Sequence, residues 1–192
     1  MTRFGALAAL ALAAALGCER APAPQAWSLV PAESSLKFVG TKNETVGVAG
    51  SFTGLAGEYD AAHGTAFVEV SLAGTNTGDP ARDENIRSHF FEAAKFPLAR
   101  FEVKGLPAAA DGGLTLDGTL SIHGGSAPLQ IPVQVTRGEH QHLRVRTTAP
   151  FVLSAQALGM AEQLATLKAV CGHQSLADTV PIEVDLAFAQ TN

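Results

Sequence analysis

The segment LTLDGTLSIH, residues 114–123, carries the clearest structural signal in the sequence. Apolar and polar residues alternate along it, which is the period of a β-strand with one buried face. The segment LQIPVQV, residues 129–135, repeats the alternation, and the sequence HGGS at 123–126 between them is typical of a tight turn. Two such segments joined by a short connection predict an antiparallel hairpin with one dry side.

The same alternation recurs from Trp27 onward. Segments of this kind, bounded by Gly, Pro, Asn or Asp, lie at 35–40, 50–59, 66–73, 99–104, 114–123, 129–135, 143–147 and 182–188. About eight amphipathic strands with mostly short connections predict an all-β protein, an antiparallel barrel whose closure removes the exposed sheet edges. At eight strands, the interior of a barrel can hold one small ligand. A two-sheet sandwich is the alternative that the pattern leaves open.

Two segments break the alternation and predict short helical insertions. Asp79-Pro80 is typical of a helix start and predicts a helix over 81–94. A second helix is predicted over 155–170, ending at Gly172. Its apolar face is carried by residues spaced four, three and four apart, which are Met160, Leu164, Leu167 and Cys171. On an eight-stranded barrel, two such helices would serve as plugs or lids.

Composition and charge argue against several classes of protein. The chain has 192 residues and a formal net charge of -5, with no run of Lys or Arg. Nucleic-acid-binding proteins neutralise phosphates with basic residues, so we expect no nucleic-acid partner. Two cysteines are too few for a disulfide-rich scaffold. The sequence lacks GxSxG, P-loop and GxGxxG motifs and any assembled nucleophile or acid–base pair, so no enzyme is predicted.

The first eighteen residues, MTRFGALAALALAAALGC, have the features of a secretory signal. One basic residue precedes an apolar run that is too short to span a bilayer and ends in small residues. The ending ALGC at 15–18 resembles a bacterial lipobox, in which the cysteine is lipidated. We therefore predict a lipoprotein signal peptide over 1–17, a lipidated Cys18 with a Pro/Ala linker over 18–26, and one domain over 27–192. A cleaved, soluble periplasmic protein and an uncleaved helix are the alternatives.

Cysteine and histidine residues offer a competing functional hypothesis. Cys171-Gly172-His173 places a thiol near an imidazole, a pair that could serve redox chemistry or bind a soft metal. His140 and His142 lie two residues apart, so on a strand they would share a face. The alternative function is therefore a periplasmic redox or metal-handling protein using Cys171 and His173. We nevertheless predict no metal site, because adjacent side chains point in different directions and Gly172 is typical of a helix end.

The apolar residues favour a ligand-binding function. The chain contains ten Phe but only one Tyr and one Trp, and several Phe fall on strand faces assigned inward. Sites for apolar ligands are mostly hydrophobic and have few polar anchors. Arg82 and Asp83 are candidate headgroup contacts at the barrel mouth, and the alternative for them is an ion pair at a helix end. The candidate channel residues, chosen by alternation alone, are Phe38, Phe52, Phe101, Leu116, Leu120, Ile131 and Val133.

The stretch RDENIRSHFFEAAKFPLARF, residues 82–101, resembles the signature of the YceI-like lipid/polyisoprenoid-binding family. The segment WSLVPAESSLKF at 27–38 resembles the opening strand of that family, and the likeness extends over about 27–188. The resemblance implies a lipocalin-like eight-stranded antiparallel barrel around a long apolar channel. A His often found in the family after the first strand is replaced here by the region Thr41-Lys42-Asn43-Glu44, so a headgroup contact at that place is not carried over.

The resemblance also implies the ligand and the location. The expected activity is non-covalent binding of a polyisoprenoid or other long-chain lipid, such as a quinone tail, in the periplasm, with no covalent cofactor. A lipid on Cys18 would attach the protein to a membrane. The absence of Asp at position 19 favours the outer membrane, by resemblance to enteric lipoproteins. The sequence leaves open whether the chain forms a homodimer.

Overall fold

The structure, a computed structural model, describes residues 26–107, 111–138 and 142–191. Within these ranges the strands are β1 Ala26–Leu29, β2 Ser35–Lys42, β3 Val46–Phe52, β4 Leu55–Asp60, β5 Thr65–Ser71, β6 Thr75–Asn76, β7 Leu98–Lys104, β8 Gly112–Ile122, β9 Gly125–Arg137, β10 Leu143–Thr147, β11 Phe151–Ser154 and β12 Thr179–Thr191. The α-helices of the same ranges are α1 Pro80–Asn85, which continues into a π-helical turn over Ile86–Phe90, and α2 Ala161–Val170. The predicted signal peptide over 1–17 and Cys18 lie outside the described residues.

Eight of these strands close into an antiparallel barrel. Around the barrel the order is β1, β4, β5, β7, β8, β9, β10 and β12, and β12 pairs again with β1. Closure satisfies the backbone hydrogen bonds that an open sheet would leave at its edges. The predicted eight-stranded antiparallel barrel is confirmed, and the two-sheet sandwich is excluded.

The long strand β12 carries the sheet beyond the closed ring. Its residues 188–191 pair with β1, whereas residues 182–185 pair with β2. On its other side, β12 pairs with β10 over 185–188 and with β11 over 179–182. β2 in turn pairs with β3, and β3 pairs with the short β6. These additional strands lengthen the wall at the end of the barrel where the helices pack.

The single strand predicted over 50–59 is wrong, because β3 ends at Phe52 and β4 begins at Leu55. Gly54 between them has a φ of +72°, a left-handed conformation that glycine adopts without strain. The break allows β3 to pair with β2 while β4 pairs with β5. Three glycines in this stretch weaken its alternation, so the sequence alone does not show the break.

The predicted start of the first helix is confirmed, and its predicted end at residue 94 is wrong. Oδ1 of Asp79 accepts hydrogen bonds, each 3.1 Å long, from two backbone N–H groups of the first turn, which is the role of an N-cap. Helical structure ends at Phe90, and Glu92 has a φ of +46°. The carboxylate of Glu92 lies 2.6 Å from Nε2 of His123. The backbone N–H groups of Phe91 and Ala93 donate to the carbonyls of Ile86 and Arg87 at this helix end. A non-glycine residue at positive φ carries no sequence signal for a helix end, which explains why the predicted end lies too far along the chain.

For the second helix the predicted end is confirmed. Gly172 has a φ of +64°, and backbone N–H groups donate from Gly172 to Ala169 and from His173 to Lys168. These two bonds form a Schellman motif, the usual helix end at glycine. The predicted start is wrong, because the chain forms turns over 155–159, where the last residue is a glycine with a φ of +71°. No helix among the described residues is long and apolar enough to cross a membrane.

Apolar side chains close the two ends of the barrel differently. One end is filled around Trp27, which is 1% exposed and stacks on Tyr59 with 5.2 Å between ring centroids. Phe188 packs into the same cluster. At the other end the helical segments cover the opening, and Phe91 and Met160 are buried beneath them. The barrel is left open in its middle, where the candidate site lies.

Candidate ligand-binding site

A cavity of about 300 Å³ lies inside the barrel. This volume is at the lower limit of those of small-molecule sites. Its walls consist almost entirely of aliphatic and aromatic side chains, which come from strands of the closed ring, from the additional strands β2, β3 and β11, and from the two helical segments. Because such walls offer few hydrogen-bond partners to water, the cavity favours hydrocarbon.

All seven candidate channel residues line this cavity, and they are Phe38, Phe52, Phe101, Leu116, Leu120, Ile131 and Val133. Successive residues of a strand point to opposite faces, which explains why alternation locates them. On β8, Leu116 and Leu120 face the cavity while Thr115 and Thr119 are exposed on the outside. That the seven residues contact a ligand stays a prediction.

Four phenylalanine rings form a continuous aromatic surface on the cavity wall near the helices. Ring centroids lie 5.3 Å apart for Phe38 and Phe52, 5.9 Å for Phe52 and Phe91, and 4.9 Å for Phe91 and Phe90. Gly50, the cross-strand partner of Phe38, makes room for the first ring. A Cβ atom at Gly50 would lie 2.3 Å from Cζ of Phe38, so the missing side chain lets that ring lie against the wall.

A second cavity, of about 100 Å³, lies on the other side of a partition inside the barrel. Its far wall includes Tyr59 and Phe188 of the packed end. The ring of Phe101 lies over Gly118 on the neighbouring strand, where an added Cβ would be 2.6 Å from Cζ of the ring. The side chains that line both cavities, and so form the partition, are Val68, Phe101, Leu116, Val145 and Leu186.

The polar groups of the first cavity are gathered at one end. They come from the end of β2, from α1 and from the segment 171–178 that follows α2, and they are Thr41, Lys42, Arg82, Cys171, His173 and Asp178. Backbone hydrogen bonds attach the segment to β2 and its turn: the Ala177 N–H donates to the Thr41 carbonyl at 2.8 Å, and the Asn43 N–H donates to the Ser175 carbonyl at 3.0 Å. The polar end is therefore built by parts of the chain that are far apart in sequence.

The two candidate headgroup residues occupy different environments. Arg82 lies on the cavity wall, where Nη2 is 3.3 Å from Oδ2 of Asp79 and Nη1 donates to Oγ1 of Thr77 at 3.3 Å. Asp83 is instead buried beside the loop that precedes α1. Its Oδ1 accepts hydrogen bonds from the backbone N–H of Thr77 at 2.8 Å and from the Thr77 hydroxyl at 2.7 Å. Asp83 thus stabilises the loop, and Arg82 is the member of the pair that faces the cavity.

The residues of the redox or metal hypothesis lie at the same polar end. Nδ2 of Asn85 donates to Sγ of Cys171 at 3.7 Å. Burial and the positive charges of Lys42 and Arg82 lower the pKa of His173, which favours the neutral form of the ring. Within residues 26–107, 111–138 and 142–191, no group of three or more His, Cys, Asp or Glu side chains could hold a metal ion. His140 lies outside the described residues.

The sequence-based reasoning misses Lys42 as a site residue. Leu36, Phe38 and Gly40 face inward, and the same alternation continues to Lys42, so this signal was present in the sequence. The cavity residues over 176–178 carry no comparable signal, because contacts with β2 and with the segment 154–156, rather than their own periodicity, place them at the barrel.

Comparison with known families adds an independent observation. The model of the YceI-like domain matches residues 27–188. The chain belongs to the YceI-like family. The expected family membership is thereby confirmed, and the match covers every residue that lines the cavity. None of the curated proteins matches the chain.

Solved structures similar to this YceI-like protein share its fold. A polyisoprenoid binding domain from Saccharophagus degradans, implicated in plant cell wall breakdown, aligns with a TM-score of 0.79 and 24% identity over 86% of this chain and 98% of that chain. BcnA of Burkholderia cenocepacia aligns with a TM-score of 0.66 and 19% identity over 83% and 98% of the two chains. The Campylobacter jejuni YceI protein aligns with a TM-score of 0.57 and 18% identity over 77% and 87%.

Proposed function

We propose that this YceI-like protein binds a polyisoprenoid or other long-chain lipid, non-covalently, in the cavity of its barrel. The observation that carries the proposal is an apolar cavity whose polar groups are all at one end. An amphiphile with a single headgroup matches this arrangement, because its chain and its headgroup need the two environments separately. The similar domain from Saccharophagus degradans is described as polyisoprenoid binding, which supports the same class of ligand. An isoprenoid quinone is one member of that class.

Burial of the hydrocarbon chain would supply the binding free energy. A cavity of about 300 Å³ accommodates about ten groups of the size of a water molecule, at roughly 30 Å³ each. At about 0.8 kcal/mol per buried CH₂, ten methylene groups contribute about 8 kcal/mol before the costs of association and ordering. The proposed activity is therefore binding, and no covalent step is required.

We propose that the protein acts in the periplasm, attached to the outer membrane through a lipid on Cys18. The secretory features of residues 1–17 and the lipobox-like ending at 15–18 support this location. The test is fractionation of cells that express Cys18→Ala, with Cys171→Ala as the matched control. The first variant is expected to leave the membrane fraction and the second to remain there. Equal membrane association of both variants would contradict the anchor.

Native mass spectrometry of the full chain, purified from a bacterial envelope, tests the lipid-binding proposal. The expected result is one lipid adduct per chain, identified as a long-chain or isoprenoid molecule after extraction. A chain that carries no adduct and takes up no added lipid would overturn the proposal. A bound copper or zinc ion in place of lipid would favour the redox or metal-handling alternative at Cys171 and His173.

Two tryptophan variants on strand β8 distinguish lipid binding in the cavity from lipid binding elsewhere on the protein. Leu116→Trp places a bulky ring in the cavity, whereas Thr115→Trp places the same ring on the exposed face of β8. We expect the first to lose the adduct and the second to keep it, with thermal melting showing that both are folded. Equal adducts in the two variants would place the lipid outside the cavity.

A further inference from the structure

We infer that the polar end of the cavity binds the anionic headgroup of its lipid, a carboxylate or a phosphate, through Lys42, Arg82 and His173. This inference rests on the proposed lipid binding and specifies the class of the ligand. The three side chains come from β2, α1 and the segment after α2, and all of them line the same cavity. A cluster of three nitrogen-bearing side chains at the end of an apolar chamber has the chemistry of an anion site.

Two carboxylates near this cluster, Asp178 and Asp79, form hydrogen bonds with other groups as well. Asp178 also lines the cavity, but its Oδ1 accepts a hydrogen bond from the Gln156 N–H at 2.8 Å, and its Oδ2 accepts one from the Ser154 hydroxyl. Asp79 lies 3.3 Å from Arg82, and its Oδ1 caps α1. Most of these partners are neutral, so both carboxylates stay negatively charged. A backbone hydrogen bond from Arg82 and the charges of Arg82 and Lys42 lower the pKa of Asp79, which places this carboxylate near both cations.

The side chains of Arg82 and Lys42 have N–H donors that none of the described residues occupies. An arginine has five N–H donors, and the two contacts of the Arg82 side chain, to Thr77 and Asp79, leave others for a ligand. Within the described part of the chain, the ammonium group of Lys42 forms no salt bridge. The site therefore has two cationic side chains with unoccupied hydrogen-bonding capacity, which an anion requires.

The electrostatics of His173 indicate that two cations lie near its ring. Burial lowers the pKa of this imidazole, and the charges of Lys42 and Arg82 lower it further. The two cations are therefore near enough to oppose a third positive charge on the ring. A neutral imidazole still donates one N–H to an acceptor, so His173 can contribute to the site without being protonated.

The apolar walls favour an anionic lipid over a free anion as the ligand of this site. Most of the cavity offers no partner to inorganic phosphate, whereas a chain of about ten carbons would fill a chamber that holds about ten water-sized groups. We therefore expect the anion to be recognised together with its chain.

Displacement of a fluorescent lipid from the purified full chain tests the inference. The probes share a twelve-carbon chain and are dodecanoate, dodecyl phosphate, dodecanol and dodecyltrimethylammonium, each below its micelle concentration, and inorganic phosphate is added alone. Dodecanoate or dodecyl phosphate is expected to bind about tenfold more tightly than dodecanol, because a charge-assisted hydrogen bond is stronger than a neutral one. The comparison of these two anions identifies which headgroup the site prefers.

Matched charge variants locate the headgroup. Lys42→Gln and Arg82→Gln are each expected to reduce the preference for the anion over dodecanol about tenfold, with dodecanol binding unchanged. Lys37→Gln removes the same charge from an exposed position on the same strand and is expected to change neither affinity. Arg82→Lys keeps the charge and is expected to restore part of the preference, which a merely structural role of Arg82 would not predict.

Three other outcomes would contradict either the proposed lipid binding or the inferred anionic headgroup, and they can be told apart. Failure of every twelve-carbon probe to bind would overturn lipid binding itself. Equal affinity for the anions and dodecanol would overturn the anionic headgroup and leave lipid binding intact. Inorganic phosphate that binds as tightly as dodecyl phosphate would show a site for a free anion and would also overturn the inference.

Discussion

Two glycines face phenylalanine rings inside the barrel, and their surroundings differ in one respect. A Cβ atom at Gly50 would lie 2.3 Å from Cζ of Phe38, and the nearest atoms all belong to that ring. A Cβ atom at Gly118 would meet the ring of Phe101 and also the backbone oxygen of Glu102 at 2.4 Å. A ring can turn into the cavity, whereas a paired strand backbone cannot move without disturbing its neighbours.

The two alanine variants are therefore expected to behave differently. Gly118→Ala should reduce the free energy of unfolding by about 1–3 kcal/mol, the usual cost of overpacking. Gly50→Ala should cost less stability but push the Phe38 ring into the cavity and weaken lipid binding. Chemical denaturation and lipid displacement measure the two effects. Equal losses of stability in both variants would show that the ring contact, rather than the backbone contact, dominates.

Asp185 joins two strands through a pair of arginines. Its Oδ1 accepts from Nε of Arg144 at 2.6 Å and its Oδ2 from Nη2 at 2.8 Å, while Nε of Arg146 donates to Oδ2 at 3.0 Å. The hydrogen bond from Arg144 and the weaker contribution of Arg146 lower the pKa of Asp185 below 3.8. A carboxylate whose pKa is lowered by folding stabilises the fold above its unfolded pKa and loses that contribution as the pH falls through the folded value.

We expect Asp185→Asn to lower the free energy of unfolding by about 1 kcal/mol at pH 7, because solvent screens these partly exposed pairs. The difference from the unmodified protein should vanish as the pH falls below 3.8. Urea denaturation at a series of pH values measures this. Asp117→Asn, whose carboxylate accepts from the neutral side chain of Gln130, is the control and should lose less stability at pH 7. A difference that persisted at low pH would mean that the aspartate acts through something other than its charge.

At the scale of elements, the barrel strands could be predicted because each depends on its own alternation. β9 shows this, since every inward residue over 129–135 faces one of the two cavities. Helix ends could be predicted only where the signal is local, as at Asp79 and Gly172. The first helical segment ends where Glu92, not a glycine, has a positive φ, and the carboxylate of this residue contacts His123, thirty-one residues away.

The cap of α1 is expected to affect both the helix and the polar end of the cavity. Asp79→Ala removes two hydrogen bonds to the first turn and the partner of Arg82. The loss of such a cap is expected to lower the melting temperature, whereas Asp79→Asn should retain most of the cap. Thermal melting of the two variants measures the difference. Identical melting temperatures for the alanine and asparagine variants would show that the cap contributes nothing to the stability of the protein.

At the scale of the whole molecule, the sequence predicts a barrel and its apolar interior but not where the polar groups collect. Alternation determines which side chains face inward, and this is why the seven candidate channel residues line one cavity. The polar end depends on β2, α1 and the segment 171–178 meeting in space. Their proximity arises only when the barrel closes. The sequence can therefore indicate Lys42 and His173 individually, but it cannot show that they lie together.

The partition between the cavities is expected to set the length of chain that the barrel accepts. Phe101 contributes a ring to the walls of both cavities, of about 300 and 100 Å³. Phe101→Ala should join them and extend the preferred chain by about four carbons, since 100 Å³ corresponds to roughly three water-sized groups and the deleted ring adds space. Displacement assays with fatty acids of ten to twenty carbons measure the preferred length.

Phe96→Ala deletes the same ring beside His123, away from both cavities, and should leave that length unchanged. Because a Phe→Ala change in a core costs about 3–5 kcal/mol, Phe101→Val is the milder second variant. An unchanged length preference in folded Phe101 variants would show that the chain does not pass the partition.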